Sequence, residues 1–122
     1  MEKLILIVDD SSTVRHQLRT VLEDDGFRVI EADSGETGVK KAREHEADLF
    51  IIDVNMPGID GLEMLSEIRA LSQHARTPAF ILTTESSATL IKRGKQIGAT
   101  AWIVKPFKPE ILLKGVRKVL EV

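Results

Sequence analysis

The sequence predicts an α/β domain of five β/α units, a parallel sheet covered by helices on both faces. Three observations carry this: short unbroken apolar runs recur along the chain, apolar stripes at helical spacing lie between them, and Gly or Pro marks several joins. Leu4–Val8 is the first run, and a strand buried on both faces reads this way. Val14, Leu18, Val21 and Leu22 then form a helical stripe, closed by Gly26 just past its end. Arg28–Ala32, RVIEA, is more mixed and reads as an edge strand. Residues 35–44 form the weakest helix, because Thr37 and Gly38 lower its propensity. Leu49–Ile52 is the next buried run, followed by the stripe Leu62, Leu65, Ile68 and Leu71. Ala79–Leu82 is the fourth strand, and Leu90, Ile91 and Ile97 make a helix ended by Gly98. Ala101–Val104 reads, like the others, as a strand buried on both faces. Leu112, Val116, Val119 and Leu120 close the chain as a helix with Pro109 in its first turn. Such alternation implies right-handed crossovers.

A chain of 122 residues fits one domain able to bury a core without staples. With no cysteine it has neither a disulfide framework nor a thiolate metal site. A formal net charge of −2 gives no basic field of the kind that nucleic acid binding needs. The apolar stretch near the N-terminus is too short for a signal peptide or a membrane span. The expectation is a soluble cytoplasmic domain with no membrane or nucleic-acid partner, and a monomer by default.

Ligands of such sheets bind beyond the carboxyl ends of the strands, at the point where strand order reverses. The first strand ends in Asp9 and Asp10, the third in Asp53, the fourth in Thr83 and Thr84, and the fifth in Lys105 before Pro106. Each has an ordinary reading alone: an Asp after a strand caps a helix or forms a turn, a Thr is a strand residue, a Lys is solvated. The set is different, because three carboxylates in one pocket are unfavourable without a cation or a protonation change. Oxygen ligands without nearby His or Cys point to Mg²⁺. Lys105 and Thr83 then suit the remaining oxygens of a phosphoryl group. Asp53 stands alone on its strand and is the candidate reacting carboxylate, with Asp9 and Asp10 as the metal pair.

The motifs VDDSSTVR, IIDVNMPGIDG, ILTTE and IVKPF, in this order, resemble those of response regulator receiver domains. The likeness covers the whole chain and is strongest to single-domain chemotaxis regulators (CheY-like). It implies a flavodoxin-like (βα)5 fold with strand order 2-1-3-4-5, and residues 1–122 as one receiver domain without an output domain. It implies that Asp53 accepts a phosphoryl group from a histidine kinase, and that Mg²⁺ is held by Asp10 directly, Asp9 through water, Asp53, and the main-chain carbonyl of Asn55. Thr83 matches the switch hydroxyl and Lys105 the lysine that bonds the phosphoryl oxygen, with the Lys105–Pro106 bond cis. Asn55 and Glu85 match positions that tune the lifetime of the phosphorylated state. Trp102 occupies the switch-aromatic position, usually Tyr or Phe; its ordinary reading is a core filler, and its larger ring needs more room to move inward.

Such a protein assists its own phosphorylation and autodephosphorylation and turns over no separate substrate. Phosphorylation would bias the surface of the fourth helix, fifth strand and last helix, which carries Lys92, Arg93, Lys95, Lys114, Arg117 and Lys118. A solvated face is the plain reading of these charges. The sharper one is an acidic, partly apolar partner such as a flagellar motor switch protein, with a phosphatase as a further partner. A phosphate sink or relay outside chemotaxis is the alternative output. A metal-dependent phosphatase is disfavoured, because Asn55 stands where such enzymes place an acid. The echo of a calcium loop in DVNMPGIDGLEM fails at Pro57 and at Met64, where a bidentate Glu is required. DDSST lacks the glycines of a phosphate loop, which excludes a nucleotide module. His16, His45 and His74 read as scattered surface polar residues, with no metal site.

Overall fold

The computed structural model describes residues 2–122. Five strands, β1 (Leu4–Val8), β2 (Arg28–Ala32), β3 (Leu49–Ile52), β4 (Ala79–Thr83) and β5 (Ala101–Val104), pair in parallel in the order 2-1-3-4-5. Between and after them run α1 (Ser12–Asp24), α2 (Gly35–Glu44), α3 (Gly61–Arg69), α4 (Ala88–Ile97) and α5 (Pro109–Leu120), with a short 3-10 turn at Ser72–His74. Successive residues of each strand point to opposite faces. Leu6, Val8, Phe50, Ile52 and Ile81 therefore join Val39, Ala42, Met64, Leu65 and Ile68 in one core, under α2 and α3. Ile5, Ile7, Leu49, Ile51, Phe80 and Leu82 join Leu18, Leu22, Leu112 and Val116 in the other, under α1 and α5. Strand order reverses between β1 and β3, so a crevice opens where their carboxyl ends lie side by side.

Three sequence-based expectations change. Ala101–Val104 is not buried on both faces: β5, the outer strand that the order 2-1-3-4-5 makes it, has three half-buried residues and Val104 45% exposed. An unbroken apolar run does not distinguish an interior strand from an edge strand with a partly open face. His74 is buried, not a surface residue. Its Nε2 lies 2.9 Å from the Ala42 carbonyl and its Nδ1 2.9 Å from the Thr77 hydroxyl, while its ring meets Phe50 edge-on at 4.9 Å. The imidazole thus fastens the end of α2 to the approach to β4. Finally, Arg117 is paired with Asp25, beside the end of α1, which takes it out of the free basic face.

The helix expected to be weakest forms in full, from Gly35 to Glu44. Its interior glycine has a packing reason. A Cβ on Gly38 would lie 2.7 Å from Met64 Cε and 3.1 Å from Val8 Cγ2, so α2 sits close on the sheet at the cost of helix propensity.

Candidate functional site

The first β/α turn is built locally by its own polar side chains. Ser11 caps α1 by accepting the Val14 N–H, and Asp9 Oδ1 accepts the Ser11 N–H at 2.9 Å. The ordinary turn-forming role of Asp9 is therefore real, and it leaves Oδ2 pointing elsewhere. That oxygen accepts from Lys105 Nζ at 2.8 Å, and Asp53 Oδ2 stands 3.3 Å from the same ammonium. Arg15 adds a donor to the Asp9 carbonyl at 2.5 Å while its Nε pairs with Glu31 at 3.0 Å.

The residue after β3 is set by two backbone constraints. The Asp53 N–H donates to the Val8 carbonyl at 2.9 Å, extending the β1–β3 ladder by one bond. Gly61, first in α3, lets the helix approach, since a Cβ there would lie 2.0 Å from the Asp53 carbonyl oxygen. A capping box between Asp60 and Glu63 fixes the start of that helix.

Asp9, Asp10 and Asp53 each offer an oxygen within 4.8 Å of the others; Asp9 and Asp53 are buried and Asp10 is exposed. Burial pushes the Asp9 carboxyl above its ordinary value, helped by the charge of Asp53, against the pull of Lys105 and the Ser11 N–H. On Lys105 burial acts to lower the pKa, but the hydrogen bond to Asp9 and the two carboxylate charges prevail and hold the ammonium above its ordinary value. One lysine thus faces two carboxylates, and a third carboxylate stands beside them. The donor set is all oxygen, partly open to water, and short of positive charge. These are the properties that suit Mg²⁺, which takes a few carboxylates and keeps several waters.

The remaining candidates gather around Glu85. Its backbone N–H donates to Thr83 Oγ1 at 3.3 Å, its carboxylate accepts from Asn55 Nδ2 at 2.8 Å, and its carbonyl accepts from the Trp102 indole N–H at 2.8 Å. Thr83 is buried, Trp102 half-buried and Asn55 exposed. Thr84 is exposed and, with Lys105, Val14, Gln17, Val21 and Phe107, lines a largely apolar groove of about 710 Å³ beside the pocket. The Lys105–Pro106 peptide is cis.

Residues 5–117 match the family model of the response regulator receiver domain. The chain belongs to this family. Among receiver proteins, it is 36% identical to protein PilH of Pseudomonas aeruginosa over 116 residues, covering 95% of this chain and 96% of that one. It is 35% identical to chemotaxis protein CheY of Bacillus subtilis over 121 residues, covering 98% and 99%. The crystal structure of Vibrio cholerae CheY4 superposes with a TM-score of 0.93 at 41% identity, covering 98% of this chain and 99% of that one. Receiver domains of this kind are phosphoacceptor switches of two-component signalling, charged by histidine kinases, and they generally bind Mg²⁺ at an acidic pocket. Among the described residues of this one, no helix is long and apolar enough to cross a membrane.

Sequence reasoning passed over three residues at the site: Arg15 on the Asp9 carbonyl, Gly61 against the Asp53 carbonyl, and Gly94, which faces the Trp102 ring. Gly94 carried a readable signal, since an isolated glycine inside a helical stripe asks for a packing reason. Arg15 and Gly61 lie in VDDSSTVR and IIDVNMPGIDG, but their contacts depend on how the β/α turns close.

Proposed function

We propose that this receiver domain takes a phosphoryl group on Asp53 from the phosphohistidine of a kinase, and uses the modification to change a protein-binding face. The observation that carries this is the burial of Asp53 at the end of β3, with Oδ2 3.3 Å from Lys105 and two further carboxylates beside it. An Asp53 oxygen attacks phosphorus, a P–O bond forms as the P–N bond breaks, and the bonding pair stays with the departing imidazole. Catalysis of such a transfer is mostly positioning and charge neutralisation. Lys105 offsets charge on the phosphoryl oxygens. Thr83 Oγ1 already accepts from the Glu85 N–H, so its own proton is free for a phosphoryl oxygen. Asp9, Asp10 and Asp53, with the Asn55 carbonyl, would hold Mg²⁺, which supplies further charge neutralisation when bound. Loss of the group is hydrolysis: water attacks, inorganic phosphate leaves, and the Asp53 carboxylate returns. Asn55 and Glu85, joined at 2.8 Å, would tune that step.

Output goes through the face of α4, β5 and α5. Lys92, Lys95, Lys114 and Lys118 are exposed there, beside Val104 at 45% and Ile111 at 64% exposure. This combination suits an acidic peptide with apolar anchors, and a chemotaxis output onto a motor switch protein fits both the charge and the CheY relatives. The test is intact mass after incubation with acetyl phosphate, with and without Mg²⁺, for the wild type and Asp53→Asn. A Mg²⁺-dependent phosphoryl adduct absent from the variant supports the reading. No adduct on the wild type, with acetyl phosphate or a cognate kinase, overturns it.

A further inference from the structure

Gly94 lies in the interior of α4, where glycine weakens a helix and no left-handed backbone requires it. A Cβ at this position would stand 2.9 Å from Cζ3 and 3.2 Å from Cε3 of the Trp102 indole. These are atoms of a rigid ring, so a side chain here would have to displace the indole as a whole. The ring also has a directional bond. Its N–H donates to the Glu85 carbonyl at 2.8 Å, across the four-residue connection from β4 to α4. Glu85 is held twice more, by Thr83 Oγ1 through its N–H and by Asn55 through its carboxylate. Trp102 is therefore the outer anchor of a chain that ends on Thr83, the last residue of β4, and on Asn55, two residues after Asp53.

We propose that Gly94 and Trp102 are a matched pair: the missing side chain lets the indole seat, and the seated indole pins Glu85, making Trp102 a positioning residue for Thr83 and Asn55. This rests on the reading that Asp53 carries the phosphoryl group. With Glu85 pinned, the Thr83 oxygen stays engaged as an acceptor and its proton stays directed to the pocket. With Glu85 released, Thr83 and Asn55 gain alternative partners and water gains a path to the acyl phosphate. The pair also answers the demand of a larger aromatic for space, since α4 gives up a side chain where the indole sits.

The test follows the decay of the phosphorylated state after removal of acetyl phosphate in wild type, Trp102→Phe, Gly94→Ala and the double variant. Acrylamide quenching of Trp102, the single tryptophan, reports the ring itself. Trp102→Phe removes the N–H and shortens the lifetime about fivefold, the effect of one neutral hydrogen bond. Gly94→Ala, which favours the helix, shortens it by a similar factor and raises quenching by unseating the ring. In the Trp102→Phe background the same Gly94 substitution adds nothing, because residues in contact act as one unit. Lifetimes unchanged or lengthened in the single variants overturn the inference, as does an equal effect of Gly94→Ala in both backgrounds or quenching at the wild-type level. A wild type that takes no phosphoryl group overturns the phosphoacceptor reading, and this inference with it. Normal phosphorylation with unaltered lifetimes overturns only the matched pair.

Discussion

Replacing Asp10 by Asn makes the metal-free protein more stable. The carboxylates of Asp9, Asp10 and Asp53 offer oxygens within 4.8 Å of one another, and two unit charges at that limit repel by about 3.5 kcal/mol at an effective dielectric of about 20 and by about 0.9 kcal/mol in bulk water. Lys105 contacts Asp9 at 2.8 Å and Asp53 at 3.3 Å, which offsets most of the repulsion between those two. Asp10 is exposed and shares no such contact, so it feels both neighbours with solvent screening. Two repulsions near the bulk-water value sum to about 2 kcal/mol, and the more distant Lys105 charge reduces the net cost to about 1 kcal/mol. For a chain of this length that raises the thermal midpoint by about 4 °C. Thermal unfolding followed by circular dichroism in EDTA and in millimolar Mg²⁺ reads both halves of the effect. In EDTA the variant melts higher; in Mg²⁺ the wild type gains stability through binding to the native state alone, and the gap closes or reverses. A variant that melts at or below the wild type in EDTA would refute the electrostatic reasoning.

Gly61→Ala places a methyl group 2.0 Å from the Asp53 carbonyl oxygen, a backbone atom that cannot rotate away. It costs about 3 kcal/mol in urea unfolding and lowers the yield of phosphorylated protein, because the peptide bearing Asp53 must shift. Glu31 sits between Arg15 and Arg19. Burial acts to raise its pKa, but the bonds and charges of Arg19 and then Arg15 prevail and hold it below the ordinary 4.5. The stabilisation is therefore complete above pH 4.5 and fades as pH falls through the lowered native value. Glu31→Gln is less stable than wild type by about 1 kcal/mol at pH 7, and the two converge in acid, as paired urea titrations at several pH values would read.

The fold was legible because parallel strands buried on both faces write themselves as continuous apolar runs, and helices between them as spaced stripes. The same signal overstated the burial of β5, since apolar residues on an open edge look like residues inside a sheet. Asp9, Asp10, Asp53, Thr83 and Lys105 were legible as a group because strand ends in such a sheet converge. His74 was not: its partners are the carbonyl of Ala42 and the hydroxyl of Thr77, and a contact 32 residues away leaves no local pattern. Nor was the pairing of Gly94 with Trp102, which depends on how closely α4 approaches β5. Gly38 shows the converse case, a residue that counted against a helix by propensity and proved to be what let that helix pack.

The most direct measurement is the chemical identity of the phosphorylated residue. Borohydride reduces an aspartyl phosphate to homoserine, so reduction after incubation with acetyl phosphate and Mg²⁺, followed by peptide mapping, locates the modified side chain. The phosphoacceptor account predicts homoserine at position 53 and unmodified aspartate at positions 9 and 10. Homoserine at either of those positions, or no conversion in a protein that gained the phosphoryl mass, would contradict it.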